Sequence, residues 1–311
     1  GAKALAQWLT LEGRRSSLVE WLGQCRDNSR IHGSINNIGA WTGRCSHKDP
    51  NTANISSPFH GSAKTPVEEV KKQFDVHLRA CWTVPSGSWL VGTDADGIQL
   101  RVLADYLWRK YDADQYAIAI MEGKKEDETD IHNLNKKALA VPNGTRDMAK
   151  TFIYAWLLGA GVAKTAQILN VSSKEAVNAR SRFEQSIDGL SDLKNIYVPK
   201  IADEGWFKGY DGRKVPVPNA HKTLAGILQN GESCLMKHSL LKWHDRARKE
   251  GLKFKMVGFI HDEYQVEVIG TKEELLGKIQ ADCMLETGVE LGFKIPTPGS
   301  YDVGKNWAET H

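Results

Sequence analysis

The run Phe254 to Ile260 (FKMVGFI) is mostly apolar and is followed without a spacer by His261, Asp262 and Glu263, after which Tyr264, Gln265, Val266, Glu267 and Val268 alternate. The apolar run reads as a strand and the alternating stretch as its return partner, giving a hairpin with an acidic tip. Three ionisable residues placed directly after such a run are costly to bury unless they meet a cation or one another. The pattern therefore calls for a sheet with a site at the end of the hairpin.

A second stretch has related logic. Trp89, Leu90 and Val91 form a short buried strand that runs into Gly92, Thr93 and Asp94, and Ile98, Leu100, Val102, Leu103 and Leu107 then follow at helical spacing. An Asp after a strand is also a common turn former or helix N-cap, so Asp94 taken singly keeps that reading. The DADG sequence resembles the start of a calcium loop, but the later ligands and the closing Glu are missing. Only tertiary structure can bring Asp94 and Asp262 together.

The third feature is cationic. In RDMAKTFIY, Arg146, Lys150 and Tyr154 fall at i, i+4 and i+8, on one face of a predicted helix that begins near Thr145. Like charges one turn apart repel by a few tenths of a kcal/mol, roughly, unless an anion lies along the face. A solvated basic face is the alternative. The apolar Phe152, Ile153, Trp156 and Leu157 favour a phosphate-lined cleft, with Arg146 forking onto phosphate oxygens and Lys150 supplying a point charge. Two carboxylates plus a cationic helix suit phosphoryl or nucleotidyl transfer, in which Mg²⁺ is held by one or two carboxylates and by substrate phosphates.

Composition excludes other classes without choosing among these. With 311 residues and 41% hydrophobic residues the chain can bury a sizeable core, which rules out disorder, collagen and coiled coil. The longest nearly uncharged apolar stretch, Ile153 to Ala163, is too short to span a bilayer. Five scattered cysteines with no CxxC indicate neither a disulfide framework nor a zinc site, and suit a reducing compartment. The net charge of +3, from 41 basic and 38 acidic residues, decides nothing about a polyanionic partner. Residues Ala4 to Cys25 carry a helical pattern interrupted around Gly13, and Arg30 to Val84 read as loops and short strands. The charged stretch 121–137 reads as an exposed loop with helix ends, and further helices are predicted over Ser173 to Asn195 and Lys222 to Glu250.

Taken in order, these residues resemble the family A (DNA polymerase I-like) DNA polymerases, and most closely the phage branch. TGRCSHKDPNTANI (Thr42 to Ile55) is similar to the family's TGR…PN…I segment, DADGIQLR (Asp94 to Arg101) to motif A, RDMAKTFIYAWLLGAG (Arg146 to Gly161) to motif B and HDEYQV (His261 to Val266) to motif C. DGRKV (Asp211 to Val215), Gln229 and the final NWAETH also resemble phage members, so the resemblance covers roughly Ser29 to His311.

The resemblance implies an α+β right-hand polymerase fold, an antiparallel palm sheet with helices and an inserted helical fingers subdomain. The implied parts are a helical segment over 1–24, palm over 25–120 and 201–311, and fingers over 121–200. It implies that Asp94, Asp262 and the carbonyl of Ala95 bind two catalytic Mg²⁺ ions, with Mn²⁺ as a substitute, and that Glu263 sits beside them. Arg146 and His132 match residues that grip the outer phosphates of a dNTP, Lys150 one near the α-phosphate, and Tyr154 one that packs on the sugar. Arg44 and Gln229 match donors to the minor groove of primer-template DNA, while His221 and His261 match residues near the template and primer backbones.

Three positions depart from the family pattern. Gln99 stands where motif A has a Glu, which leaves bulk against a ribose 2′-hydroxyl without the charge, and Leu158 and Ala225 replace a Tyr and an Asn near the template and minor groove. About 29 residues precede the resembling region, so the expectation is a chain without thumb or proofreading exonuclease, with a separate protein supplying thumb, exonuclease or processivity function. The implied activity is template-directed DNA synthesis from dNTPs in phage replication, in the cytoplasm of an infected bacterium. A phage-type RNA polymerase core, a catalytically dependent DNA-binding subunit of a split replicase and a metal phosphohydrolase are the rival readings.

Overall fold

Helix α1 (Ala2–Gln24) runs unbroken through Gly13 in the computed structural model, which describes Gly1–Phe59, Ala63 and Thr65–His311. The interruption expected there does not occur, because the ~1 kcal/mol that glycine costs inside a helix is carried by a 23-residue element. Two short strands, β1 (Ser34–Asn36) and β2 (Ser46–Lys48), pair antiparallel within the loop-rich region, whose positions 60–62 and 64 lie outside the described residues. Helix α2 (Pro66–Ala80) opens on a capping box in which Thr65 and Glu68 bond reciprocally. Arg14 of α1 donates to the buried Asp75 of α2 at 2.7 and 2.9 Å, and Trp21 meets Trp82 edge-on at 5.3 Å. Of the apolar residues of α1 only Trp21 is buried; Leu5, Trp8, Leu9, Val19 and Leu22 are exposed. Strand β3 (Ser88–Ala95) follows, carrying Asp94 as its penultimate residue.

The fold divides into two compact units, one of Gly1–Asp96, Met236–Leu285 and Pro298–His311, the other of Gly97–Leu235 and Glu286–Thr297. The second unit is helical. It contains α3 (Ile98–Tyr111), α4 (Gln115–Met121), α5 (Ile131–Leu139), α6 (Arg146–Leu157), α7 (Val162–Leu169), α8 (Ser173–Ser186), the short α9 (Leu190–Asp192) and α10 (Val198–Glu204). A small antiparallel ribbon of β4 (Trp206–Lys208) and β5 (Lys214–Pro216) precedes the long helix α11 (Thr223–Lys249), which begins within a residue of its predicted start and crosses into the first unit at Met236. Phe183 of α8 meets Phe152 and Trp156 of α6 edge-on at 5.1 and 5.3 Å, and all three rings are buried.

Two expectations for this unit need correction. The stretch 121–137 is not an exposed loop throughout: Asp130 caps α5 by accepting from Asn133 N at 3.1 Å, and His132, Asn133 and Asn135 are buried. The predicted helix over Ser173 to Asn195 breaks at Ile187 to Gly189, then continues as α9 and a π turn over Leu193–Tyr197. Gly189 has φ +74°, and a Cβ there would stand 2.9 Å from the Tyr111 side chain, so the break requires glycine.

The sheet belongs to the first unit. Strands β6 (Phe254–Ile260) and β7 (Glu263–Ile269) form the predicted hairpin, and β8 (Gly299–Gly304) follows helix α12 (Glu273–Glu290). The order is β6-β7-β3-β8, antiparallel throughout, so β3 is inserted between two strands made late in the chain. Both faces of β7 are covered. Its polar residues are satisfied inside: Glu267 takes Arg30 Nη2 at 2.9 Å and Ser88 Oγ at 3.1 Å, and Gln265 accepts from Thr310 Oγ1 at 2.9 Å. None of the described helices is long and apolar enough to cross a membrane.

Candidate active site

The acidic end of the sheet is built by strand register. Asp94 stands opposite Glu263 on β7 and opposite Ser300 on β8, and beyond the last β3–β7 pair Ala95 N donates to Asp262 O at 2.9 Å. Asp94, Ala95, Asp262 and Glu263, four residues predicted for the site, are thus brought together at one sheet end. A Cβ on Gly299 would lie 3.1 Å from the Asp94 carbonyl and 2.4 Å from Met284 Sδ, so β8 approaches this closely only with glycine there. Asp96 is held as well, its N donating to Pro298 O at 3.0 Å and its Oδ1 accepting from Ser300 Oγ at 2.7 Å.

Glu263 is nearly fully buried and both of its oxygens are engaged. Oε1 accepts from Trp307 Nε1 at 2.5 Å and Gln265 Nε2 at 2.6 Å, and Oε2 lies 3.0 Å from His311 Nδ1. The Arg79 guanidinium lies over the Trp307 ring, 4.4 Å from its centroid. Nothing in the sequence pattern marks Trp307 and His311 as partners of the site apart from the resemblance of the final NWAETH to phage members.

His261 occupies the hairpin turn with φ +56°, and its Nδ1 is buried without a hydrogen-bond partner. Burial and the neighbouring Arg44 and His47 hold its pKa below the ordinary histidine value, against the opposing pull of Asp262 and Glu263. Arg44 and His261, both predicted to touch DNA, are therefore neighbours. The Arg44 loop is tied down by Lys237 of α11, whose Nζ donates to the carbonyls of Asn37 and Gly43, while His47 bonds Phe259 O at 2.8 Å.

The cationic helix is α6 in the second unit. Thr145 caps it by accepting from Met148 N at 3.2 Å, and Ala149, Phe152, Ile153, Trp156 and Leu157 bury one face. Arg146 and Tyr154 are partly exposed and Lys150 is exposed, along the other face. His132, from α5, stands 6.3 Å ring to ring from Tyr154, and its Nδ1 is buried with no hydrogen-bond partner. Its pKa is lowered by burial and by Arg146 and Lys150, opposed by Asp130. Arg146 Nε donates to Asp130 Oδ2 at 2.9 Å, and Nη2 donates to the same oxygen. Burial raises the Asp130 pKa, but the hydrogen bonds from Arg146 and Asn133 outweigh it and the net shift is downward. Arg146, Lys150, Tyr154 and His132 are thus gathered at one place, with an orphaned ring nitrogen among them.

Gln99 sits in the first turn of α3, where its Nε2 donates to the fully buried Glu232 of α11 at 3.0 Å. Gln229 lies one turn before Glu232 on α11 and is partly buried. His221, in the short turn Ala220–Lys222, is exposed, and its Nε2 stands 3.2 Å from where a Cβ of Gly159 would be, at the end of α6. Glu232 and Asp130 are the acidic partners that the sequence did not reveal.

The donor set at the sheet end fits a hard divalent cation, since carboxylates and a backbone carbonyl are the oxygen ligands that Mg²⁺ takes. Among the described residues no group of three His, Cys, Asp or Glu side chains could hold a metal, so the remaining ligands would have to be water or substrate oxygens.

A family model described as DNA polymerase family A matches residues 2–309. The chain belongs to DNA polymerase family A. The match begins ahead of Ser29, earlier than the motifs alone reach, and so takes in α1. The DNA-directed DNA polymerase of Enterobacteria phage T3 is 31% identical over 339 residues, and that of Escherichia phage T7 30% identical over 341, each alignment covering 99% of this chain and 45% of the phage protein. The chain thus spans less than half the length of these family A relatives. A solved structure, the POL domain of Pol1 from M. smegmatis in complex with DNA primer-template and dNTP, superposes with a TM-score of 0.77 at 21% identity, over 94% of this chain and 51% of that one. That likeness establishes the α+β family A fold.

Proposed function

We propose that this chain carries out template-directed DNA synthesis, transferring nucleotidyl groups from dNTPs to a primer 3′-hydroxyl in the replication of a phage genome. The observation that carries the reading is the 2.9 Å bond from Ala95 N to Asp262 O, which ties the residue after Asp94 to the second predicted metal ligand. Asp94, Asp262 and the Ala95 carbonyl are the groups that would hold two Mg²⁺ ions. Bound there, the ions would supply charge stabilisation for an in-line phosphoryl displacement.

The chain's own side chains supply the rest. Arg146 presents a planar fork to the outer phosphates of the dNTP, beside the unpartnered Nδ1 of His132. Lys150, one turn along the helix, neutralises charge near the α-phosphate and hands a proton to the departing pyrophosphate. Tyr154 packs on the sugar. Arg44 and Gln229 donate to minor-groove acceptors that every correct base pair presents, which tests pair geometry without reading sequence. His221 and His261 contact the strand backbones.

Primer extension at low salt, with primed template, Mg²⁺ and dNTPs, tests the reading, because phosphate contacts to DNA are salt-sensitive. Template-dependent extension by the 311-residue chain that disappears in Asp262→Asn is the expected result. Folded chain that fails to extend at high enzyme excess would mean that it depends on a second polypeptide to place the primer. Faster use of rNTPs than dNTPs would turn the assignment towards RNA synthesis.

A further inference from the structure

We infer that Asp130 is a positioning residue for polyphosphate binding, acting through Arg146; this rests on the reading of the α6 face as a triphosphate site. Asp130 divides its two oxygens between two tasks. Oδ1 accepts from Asn133 N at 3.1 Å and from Asn133 Nδ2 at 2.7 Å, which fixes the start of α5. Oδ2 accepts from Nε and Nη2 of Arg146, the first residue of α6. One carboxylate thereby joins the helix that carries His132 to the helix that carries Arg146, Lys150 and Tyr154.

A guanidinium has five N–H donors in a rigid plane. With Nε and one Nη2 hydrogen committed to Asp130, three donors remain, and the plane that holds them is set. Arg146 is itself only about one quarter exposed, with a side-chain exposure of 27%, and Asp130 is 12% exposed, so the pair is shielded from full solvent screening. The long arginine side chain is held before an anion arrives, which removes much of the rotamer entropy that would otherwise be lost on binding. The pair also raises the Arg146 pKa, the hydrogen bond that Arg146 donates to Asp130 being the largest cause, so the fork remains cationic.

This inference opposes simple charge counting. An aspartate beside a cationic cluster lowers its net charge, and on Coulomb's law alone its removal would strengthen the binding of an anion. A positioning role has the opposite sign.

The test is calorimetric titration of the full 311-residue chain with inorganic tripolyphosphate at low salt, for wild type, Asp130→Asn, Arg146→Lys and the double variant. Asparagine is as good an N-cap as aspartate, so α5 keeps its start, and thermal unfolding of each variant verifies that it folds. Asp130→Asn is expected to raise the Kd on the order of tenfold in the wild-type background and to have little further effect once Arg146 is Lys. KM for dNTP in primer extension should rise in parallel, with kcat changed far less. Tighter binding by Asp130→Asn, or the same loss in both backgrounds, overturns the positioning role while leaving the triphosphate site standing. An Arg146→Lys variant that binds as wild type does overturns the reading of the site itself.

Discussion

Ala95 N and Asp262 O are joined by a 2.9 Å hydrogen bond just beyond the last paired residues of β3 and β7. The bond fixes the end of the central strand to the hairpin turn, and it makes the separation of Asp94 from Asp262 a property of the backbone rather than of flexible side chains. On the proposed two-metal reading, a site that holds cations at a set spacing gains from that rigidity.

Asp94→Asn and Asp262→Asn should each reduce primer extension by at least about 100-fold, beyond the ~10–100-fold typical of groups that merely orient metal ligands. Neither residue belongs to the buried core, so the thermal midpoint should stay close to wild type. Steady-state extension rates set beside melting curves decide it; full activity in either variant would sink the two-metal assignment.

Trp307→Phe keeps an aromatic ring beneath Arg79 but deletes the N–H that Glu263 accepts at 2.5 Å. A hydrogen bond to a buried carboxylate contributes about 1.5–3 kcal/mol. Urea unfolding should show a loss of that size, and an unchanged midpoint would mean that Gln265 and His311 satisfy Glu263 without it.

Gln99 is anchored by a carboxylate from another helix, so its bulk is held in place although it carries no charge of its own. Gln99→Ala should raise the ratio of rNTP to dNTP incorporation on the order of tenfold or more, as loss of a few side-chain atoms from a discriminating pocket does. Single-nucleotide incorporation assays with matched rNTP and dNTP measure the ratio directly.

His132 and His261 both have pKa values below the ordinary 6.5, in each case with burial as the first cause. The unfolded chain therefore binds protons at these residues before the folded chain does. Stability is fully present above pH 6.5 and declines as the pH falls through the lowered folded values. Urea midpoints at pH 7.5 and pH 5.5 should show the decline, and His132→Gln should blunt it; an undiminished decline would assign it to other groups.

The hairpin was legible because an apolar run, a charged turn and an alternating return strand leave little room for another structure, and Phe254–Ile260 and Glu263–Ile269 pair as expected. Helix α6 was legible from its amphipathic spacing. The acids that hold the cationic and polar side chains were not. Asp130 lies in a stretch of mixed charge that looks fully solvated, and its burial depends on Arg146 and Asn133 arriving to satisfy it. Glu232 sits in a long helix whose pattern gives no reason for a fully buried acid, because its partner Gln99 comes from the first turn of α3. Residues that are buried only because they are paired across long sequence distances leave no periodic trace.

The sheet order β6-β7-β3-β8 has a consequence for how the chain is made. A ribosome working at about 5–20 residues per second completes β3 roughly 10–30 s before it reaches the turn at Asp262. During that interval β3, with Leu90 and Val91 destined for the core, has neither of its neighbours, and the helical unit still lacks Glu286–Thr297, whose Phe293 stacks on Tyr210 at 4.2 Å. The nascent chain thus carries an unpaired apolar strand beside an incomplete helical unit, and a transcript truncated before Asp262 would yield a chain with no acidic centre and an exposed edge prone to aggregate.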